Sequence, residues 1–231
     1  MTSQEFDQFL FHISENPLRV LDTKYQKSDF VHIDLSVSNN DLRSIDVSSS
    51  KALDDYINSY ISHHDAKVAF GGYIETRGIY QRSDYFNNSD PSTERNIHLG
   101  LDLWIASETP IYAALSAKVH SFHNNTNYGD YGPTIVLEHD LNGIRFYTLY
   151  GHLSLESLDG LTVGKSFDQG DQIATLGDAS VNGDYAPHLH FQVIKDMQHY
   201  QGDYPGVAST KNIDFYRSNC PDPNLLLKLK L

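Results

Sequence analysis

From Gly71 onward the chain is divided into short runs of β-branched and aromatic residues by Gly, Asn, Asp and Pro, and this texture restricts it to a small set of folds. Runs this short, bounded by turn formers, read as strands rather than helices. The spacing predicts strands over 97–104, 111–122, 133–139, 144–152, 172–176 and 188–194. Between two of them stands Asn142-Gly143, the dipeptide of a tight hairpin, because both residues accept positive φ. A mainly β domain is expected.

Residues 1–66 read differently. Ser50 precedes Leu53, Tyr56, Ile57, Tyr60 and Ile61, the i, i+3, i+4, i+7, i+8 stripe of an amphipathic helix. Ser50 is its expected N-cap, with Asp54 and Asp55 near the positive end. A weaker helix is expected over 5–13, and 30–35 alternates like a strand. The chain therefore divides into a mixed α/β N-terminal extension, 1–66, and a β domain, 67–231. The polar stretch 87–95 is expected to form a surface loop, and 222–227 a short closing segment that packs back on the body.

Charge excludes whole classes of partner. Lys and Arg number 17 against 30 Asp and Glu, a net charge of −13 with no basic block, so neither nucleic acid nor an anionic membrane surface is an expected partner. No apolar run approaches the roughly 18 residues of a spanning helix. The opening residues Met1 to Asp7 carry acids where an export signal carries bases. As it stands the sequence predicts a cytoplasmic protein, with periplasmic or extracellular placement requiring another export route. The single cysteine, Cys220, allows no internal disulfide, and any metal site must be built from His and carboxylates.

Three short segments carry the chemistry. As one strand, residues 97–103 put Ile97, Leu99, Leu101 and Leu103 on one face and His98, Gly100 and Asp102 on the other. Gly100 then leaves room between a histidine and a carboxylate where an ion could sit. In 188–193, His188 and His190 share a face at about 6 to 7 Å along the strand, and only one of them readily joins the same ion. His152 ends an aromatic-rich strand beside Gly151. Each has a bland alternative as a half-buried or surface polar residue. Taken together, two histidines and one aspartate make three protein ligands, the pattern of a catalytic zinc site, whereas structural zinc takes four and usually cysteine.

The motifs His98-x-x-x-Asp102, Tyr150-Gly151-His152-Leu153 and Pro187-His188-Leu189-His190-Phe191 resemble, in order and spacing, the lysostaphin or LytM type of zinc metallopeptidase. These are bacterial cell-wall endopeptidases and their relatives, and the likeness runs from about Gly71 to Ile194. The resemblance implies a compact antiparallel β-sheet domain with a groove over a Zn2+ ion. It implies further that His98, Asp102 and His190 hold the metal, while His152 and His188 flank the bound water and the substrate carbonyl. A peptide or peptidoglycan-type substrate, a cross-bridge or stem, follows by the same analogy. The alternative is a non-catalytic or intracellular metal-binding regulatory module on the same fold. Residues 34–38, 71–73 and 221–225 are similar to an intracellular branch whose domains are joined to aminotransferase-like modules.

The chain also departs from the family. The neighbourhood 92–96 lacks the tyrosine that some relatives carry a few residues before the first ligand, Glu108 stands where the family usually has glycine, and Ala186 precedes Pro187. Of the other histidines, His63 and His64 are expected to interact with the negative end of the Ser50 helix, and His120, His123 and His139 to lie at the surface. For the N-terminal extension the expected role is a brace against the β domain. The alternative is a plug that sends Asn39, Asn40 or Asp41 to the metal.

Overall fold

Asn142 and Gly143 both take positive φ, 55° and 79°, and between them the chain reverses so that Leu141 pairs with Ile144. The hairpin they close belongs to the main sheet of the computed structural model, which describes residues 1–84, 86 and 90–230. Three of the nine residues expected as the polar loop, 87–89, lie outside the described residues.

In chain order the strands are β1 Phe30–His32, β2 Val68–Gly71, β3 Arg95–His98, β4 Leu101–Trp104, β5 Pro110–Tyr112, β6 Ala117–Asn125, β7 Gly132–Leu141, β8 Ile144–Gly151, β9 Ser166–Phe167, β10 Gln172–Thr175, β11 His188–Ile194 and β12 Val207–Ser209. The main sheet runs β1-β2-β4-β11-β8-β7-β6-β9, and β5 with β10 and β3 with β12 form two small ribbons. All pairings are antiparallel except β1 with β2 at the edge, which makes the sheet mixed. This mainly β architecture is the expected fold class.

One expected strand is broken. Residues 97–104 do not run straight: β3 ends at His98, β4 begins at Leu101, and the halves belong to different sheets. The expected run over 111–122 is likewise split by a turn around 113–116.

Period 2 along β4 and β11 gives the central sheet two unlike faces. Leu101, Leu103, Leu189, Phe191 and Val193 enter the large core, which helix α1, Ser3–His12, closes with Phe6 and Leu10. Phe6 meets Phe146 edge-on, centroids 6.1 Å apart. The first turn of α1 is held by a capping box in which Thr2 and Glu5 satisfy each other's backbone N–H. The opposite face carries Asp102, Trp104, His188, His190 and Gln192. Beside it sits helix α2, Ser50–His63, whose Leu53 and Ile57 are buried with Ile33, Ala69 and Trp104. Its N-cap is Ser49, one residue before the expected Ser50, with the Ser49 hydroxyl accepting from Ala52 N–H. Ser50 Oγ instead donates to Asp184. His64 Nδ1 bonds the Tyr60 carbonyl in the last turn, as a histidine at a helix C-terminus should. The closing segment forms α3, Asn224–Leu227, and adds Leu226 and Leu227 to the large core.

His139 corrects the expectation of a surface histidine. It is fully buried, stacked on Phe146 at 4.8 Å. Its Nδ1–H donates to the Ser116 carbonyl and its Nε2 accepts from the Thr148 hydroxyl. Glu108 has φ 65°, in the left-handed region that favours glycine. No helix among the described residues is long and apolar enough to cross a membrane.

Candidate active site

The register of β11 brings the site together. His190 stands opposite Asp102 on β4 and opposite Gly151 on β8, and His188 stands opposite Trp104. The break after His98 turns its ring back toward the same point. His98 Nε2 lies 2.8 Å from His190 Nδ1 and 3.3 Å from Asp102 Oδ1, and His190 Nδ1 lies 3.1 Å from that same oxygen. His98, Asp102 and His190 are all buried and form the one such donor group among the described residues. Asp41 is not part of it. Asn39 Nδ2 is bound to the Asp34 carbonyl and the Tyr56 hydroxyl.

Gly100 is not empty space between His98 and Asp102. A Cβ there would lie 2.5 Å from His190 Cε1, so the missing side chain makes room for the imidazole itself.

Hydrogen bonds fix the tautomer of each imidazole, because a carbonyl oxygen only accepts. His98 Nδ1–H donates to Gly72 O at 2.9 Å, leaving Nε2 bare. His190 Nε2–H donates to Gln192 Oε1 at 2.9 Å, leaving Nδ1 bare. The Gln192 amide is held in that orientation by its own Nε2, which donates to Pro205 O and Cys220 Sγ. Two lone pairs and a carboxylate oxygen thus converge, an arrangement that repels itself unless a cation lies between them. The triangle's edges, 2.8 to 3.3 Å, sit close to the roughly 3.3 Å ligand separation of tetrahedral zinc with bonds of about 2.0 to 2.1 Å. The donor set fits Zn2+.

The other two histidines follow the same rule. His152 Nδ1–H donates to Asn182 O at 2.8 Å and His188 Nδ1–H to Ala186 O at 2.7 Å, so each turns a bare Nε2 away from its anchor. Their rings lie 4.2 Å apart, and His188 Nε2 is 3.8 Å from Asp102 Oδ2. His152 has φ 62°, a conformation costing an L-residue about 1 kcal/mol or more. It is held there by His152 N–H to Tyr131 O and Gly177 N–H to His152 O.

Burial pushes the His152 imidazole well below its ordinary pKa, with the neighbouring His188 and His190 adding to the effect. Burial lowers His188 as well, against the pull of Asp102, and brings His98 to about 4. For Asp102 burial works the other way, but His98 and Arg77 outweigh it and hold the carboxyl well below the usual range. At neutral pH His98, His152 and His188 are therefore neutral imidazoles beside an ionised Asp102.

A cavity of about 340 Å³ opens over these residues, walled partly by Val37, Leu42 and Val47 of the N-terminal extension and by Ile79, Tyr80 and Tyr185. Several participants escaped the sequence reading. Gln192 could have been found, since it continues the His188, His190 face at the next period-2 position. Arg77, Asn182 and Tyr131 had no local signal. Their partners are 25, 30 and 59 residues away in sequence.

Residues 96–202 match the family model described as Peptidase family M23. No curated protein matches the chain significantly. Among solved structures, the catalytic domain of the antimicrobial peptidase lysostaphin from Staphylococcus simulans is 26% identical, with 53% of this chain and 80% of that one covered and a TM-score of 0.36. A zinc-containing peptidase from Vibrio cholerae is 28% identical over 47% of this chain and 30% of that one, TM-score 0.34. A putative peptidase M23 from Pseudomonas aeruginosa is 19% identical over 63% and 54%, TM-score 0.39.

Proposed function

We propose, on the premise that residues 96–202 form a domain of peptidase family M23, that this chain is a zinc-dependent endopeptidase acting on short peptides of the peptidoglycan bridge or stem kind. His98, Asp102 and His190 would hold the ion. Bound there, zinc would polarise the scissile carbonyl and lower the pKa of water. The observation that carries the reading is the convergence of three bare donor atoms within 3.3 Å of one another, each imidazole turned inward by a hydrogen bond on its far nitrogen.

His152 and His188 are the proton carriers of the proposal. Each is neutral at pH 7, anchored through Nδ1–H, and leaves Nε2 as a base beside the donor triangle. One takes a proton from the attacking water, and the other stabilises the tetrahedral oxyanion or returns a proton to the leaving amine. No serine or cysteine nucleophile is needed, and Cys220 is buried with its thiol pKa raised to about 12 by burial. The extension 1–66 contributes a wall of the cavity and acts with the β domain, 67–231, as one working unit.

The test is to purify the full chain, measure its zinc content, and assay it on peptidoglycan and on glycine-rich peptides. One equivalent of zinc with hydrolysis of either substrate is expected. Stoichiometric zinc without turnover on both would overturn the peptidase reading in favour of a metal-binding module.

A further inference from the structure

Arg77 and Glu75 lie outside the matched family region, on a strap that joins β2 to the candidate metal centre. The strap is pinned on both sides. Toward β3, Ile74 N–H bonds His98 O, His98 N–H bonds Glu75 O and Arg77 N–H bonds Asn96 O, each at 2.9 Å. Toward the N-terminal extension, Val37 N–H bonds Thr76 O at 2.9 Å and Leu35 N–H bonds Glu75 Oε1 at 3.0 Å.

From this strap the Arg77 guanidinium reaches Asp102 Oδ2 through Nη1 at 2.6 Å and Glu75 Oε2 through Nε at 2.5 Å. The two oxygens of Asp102 are thus divided, Oδ2 to Arg77 and Oδ1 to the two imidazoles. Arg77 is buried, and its guanidinium carbon lies over the Trp104 ring, 5.3 Å from the centroid. Gly72 completes the fit: its carbonyl receives His98 Nδ1–H, and a Cβ on it would run into Arg77 Nη2. The charges also balance with purpose. A lone arginine beside a metal ligand would repel a cation, but Glu75 offsets it and leaves the carboxylate pair plus Arg77 with one net negative charge.

Resting on the metal reading above, we propose that Arg77 is a positioning residue that locks the Asp102 carboxylate with Oδ1 toward the ion. Through Glu75 it ties the metal centre to Leu35, so the N-terminal extension is part of the site's outer support. Outer partners of this kind are worth about 10–100-fold in metal affinity.

The experiment measures zinc affinity of the full chain by competition with a chromophoric chelator, and the visible spectrum of the Co2+ form, for wild type, Arg77→Met, Arg77→Lys and Glu75→Gln. The sign is diagnostic. Removing a cation would by field alone tighten zinc, whereas loss of positioning weakens it. Arg77→Met is expected to bind about 10–100-fold more weakly with an altered Co2+ spectrum, and Arg77→Lys to recover part of the loss. Equal or tighter binding by a folded Arg77→Met overturns the proposal. If that variant does not fold, Glu75→Gln decides, because it keeps an acceptor for Leu35 N–H, and wild-type affinity there overturns the proposal equally. Affinity is read without substrate, so the result stands apart from whether any peptide is cleaved.

Discussion

Gly100 and His190 occupy each other's space: the position a Cβ would take at residue 100 is 2.5 Å from His190 Cε1 and 2.6 Å from its Nε2. One methyl group at residue 100 must therefore move the imidazole, and with it the Nδ1 that faces His98 and Asp102. Gly100→Ala is expected to weaken zinc binding by about tenfold or more. Competition titration checks this, and an unchanged affinity would show that the ring has room the geometry denies it.

His152 stands apart from the donor triangle, so its removal separates binding from turnover. His152→Ala is expected to retain stoichiometric zinc and to lose about 10²–10⁴-fold in peptide hydrolysis. Zinc content and kcat/KM measured on the same preparation decide it. Undiminished hydrolysis would remove His152 from the proton transfer.

His139 gives the fold an acid response away from the site. Burial lowers its pKa to about 4 from the ordinary 6.5. The unfolded chain then binds the proton more readily, so stability is full above 6.5, falls as pH drops through that value, and levels off below 4. The window is worth about 3 kcal/mol. His139→Gln keeps a donor for Ser116 O and an acceptor for the Thr148 hydroxyl but cannot titrate. Urea unfolding at pH 7 and pH 4.5 should show a smaller acid loss for the variant, and equal losses would assign the response elsewhere.

The N-terminal extension is expected to be indispensable for folding. Residues 1–45 supply Phe6, Leu10, Leu18, Val20, Leu21, Ile33 and Leu35, all buried against the sheet or α2. Their deletion should yield insoluble or unfolded protein, and the milder Phe6→Ala should cost about 3–5 kcal/mol. Circular dichroism and denaturant melts test both. A soluble truncation with a large gain in hydrolysis would instead identify the segment as a plug.

The amino-acid sequence by itself determined the local parts. Alternation marked 188–194 as a strand with its bounds as found, Asn142-Gly143 marked its hairpin, and the stripe from Leu53 to Ile61 marked α2 within one residue of its cap. These depend on backbone dihedrals and on period, which neighbours in sequence control. Spacing also nominated His98, Asp102, His152, His188 and His190 as candidates. What the tertiary structure decided was which atoms meet. The chain breaks at Leu99 and Gly100 because His190, arriving from 90 residues away, needs the space, so the face that period 2 assigned to a single strand is assembled from two. His139, polar and expected outside, is buried because Ser116 and Thr148 satisfy both ring nitrogens. Arg77 reaches Asp102 from a strap gripped by Leu35 and Val37 on one side and by β3 on the other. Long-range packing sets these contacts, and no local pattern encodes a partner that the fold alone brings near.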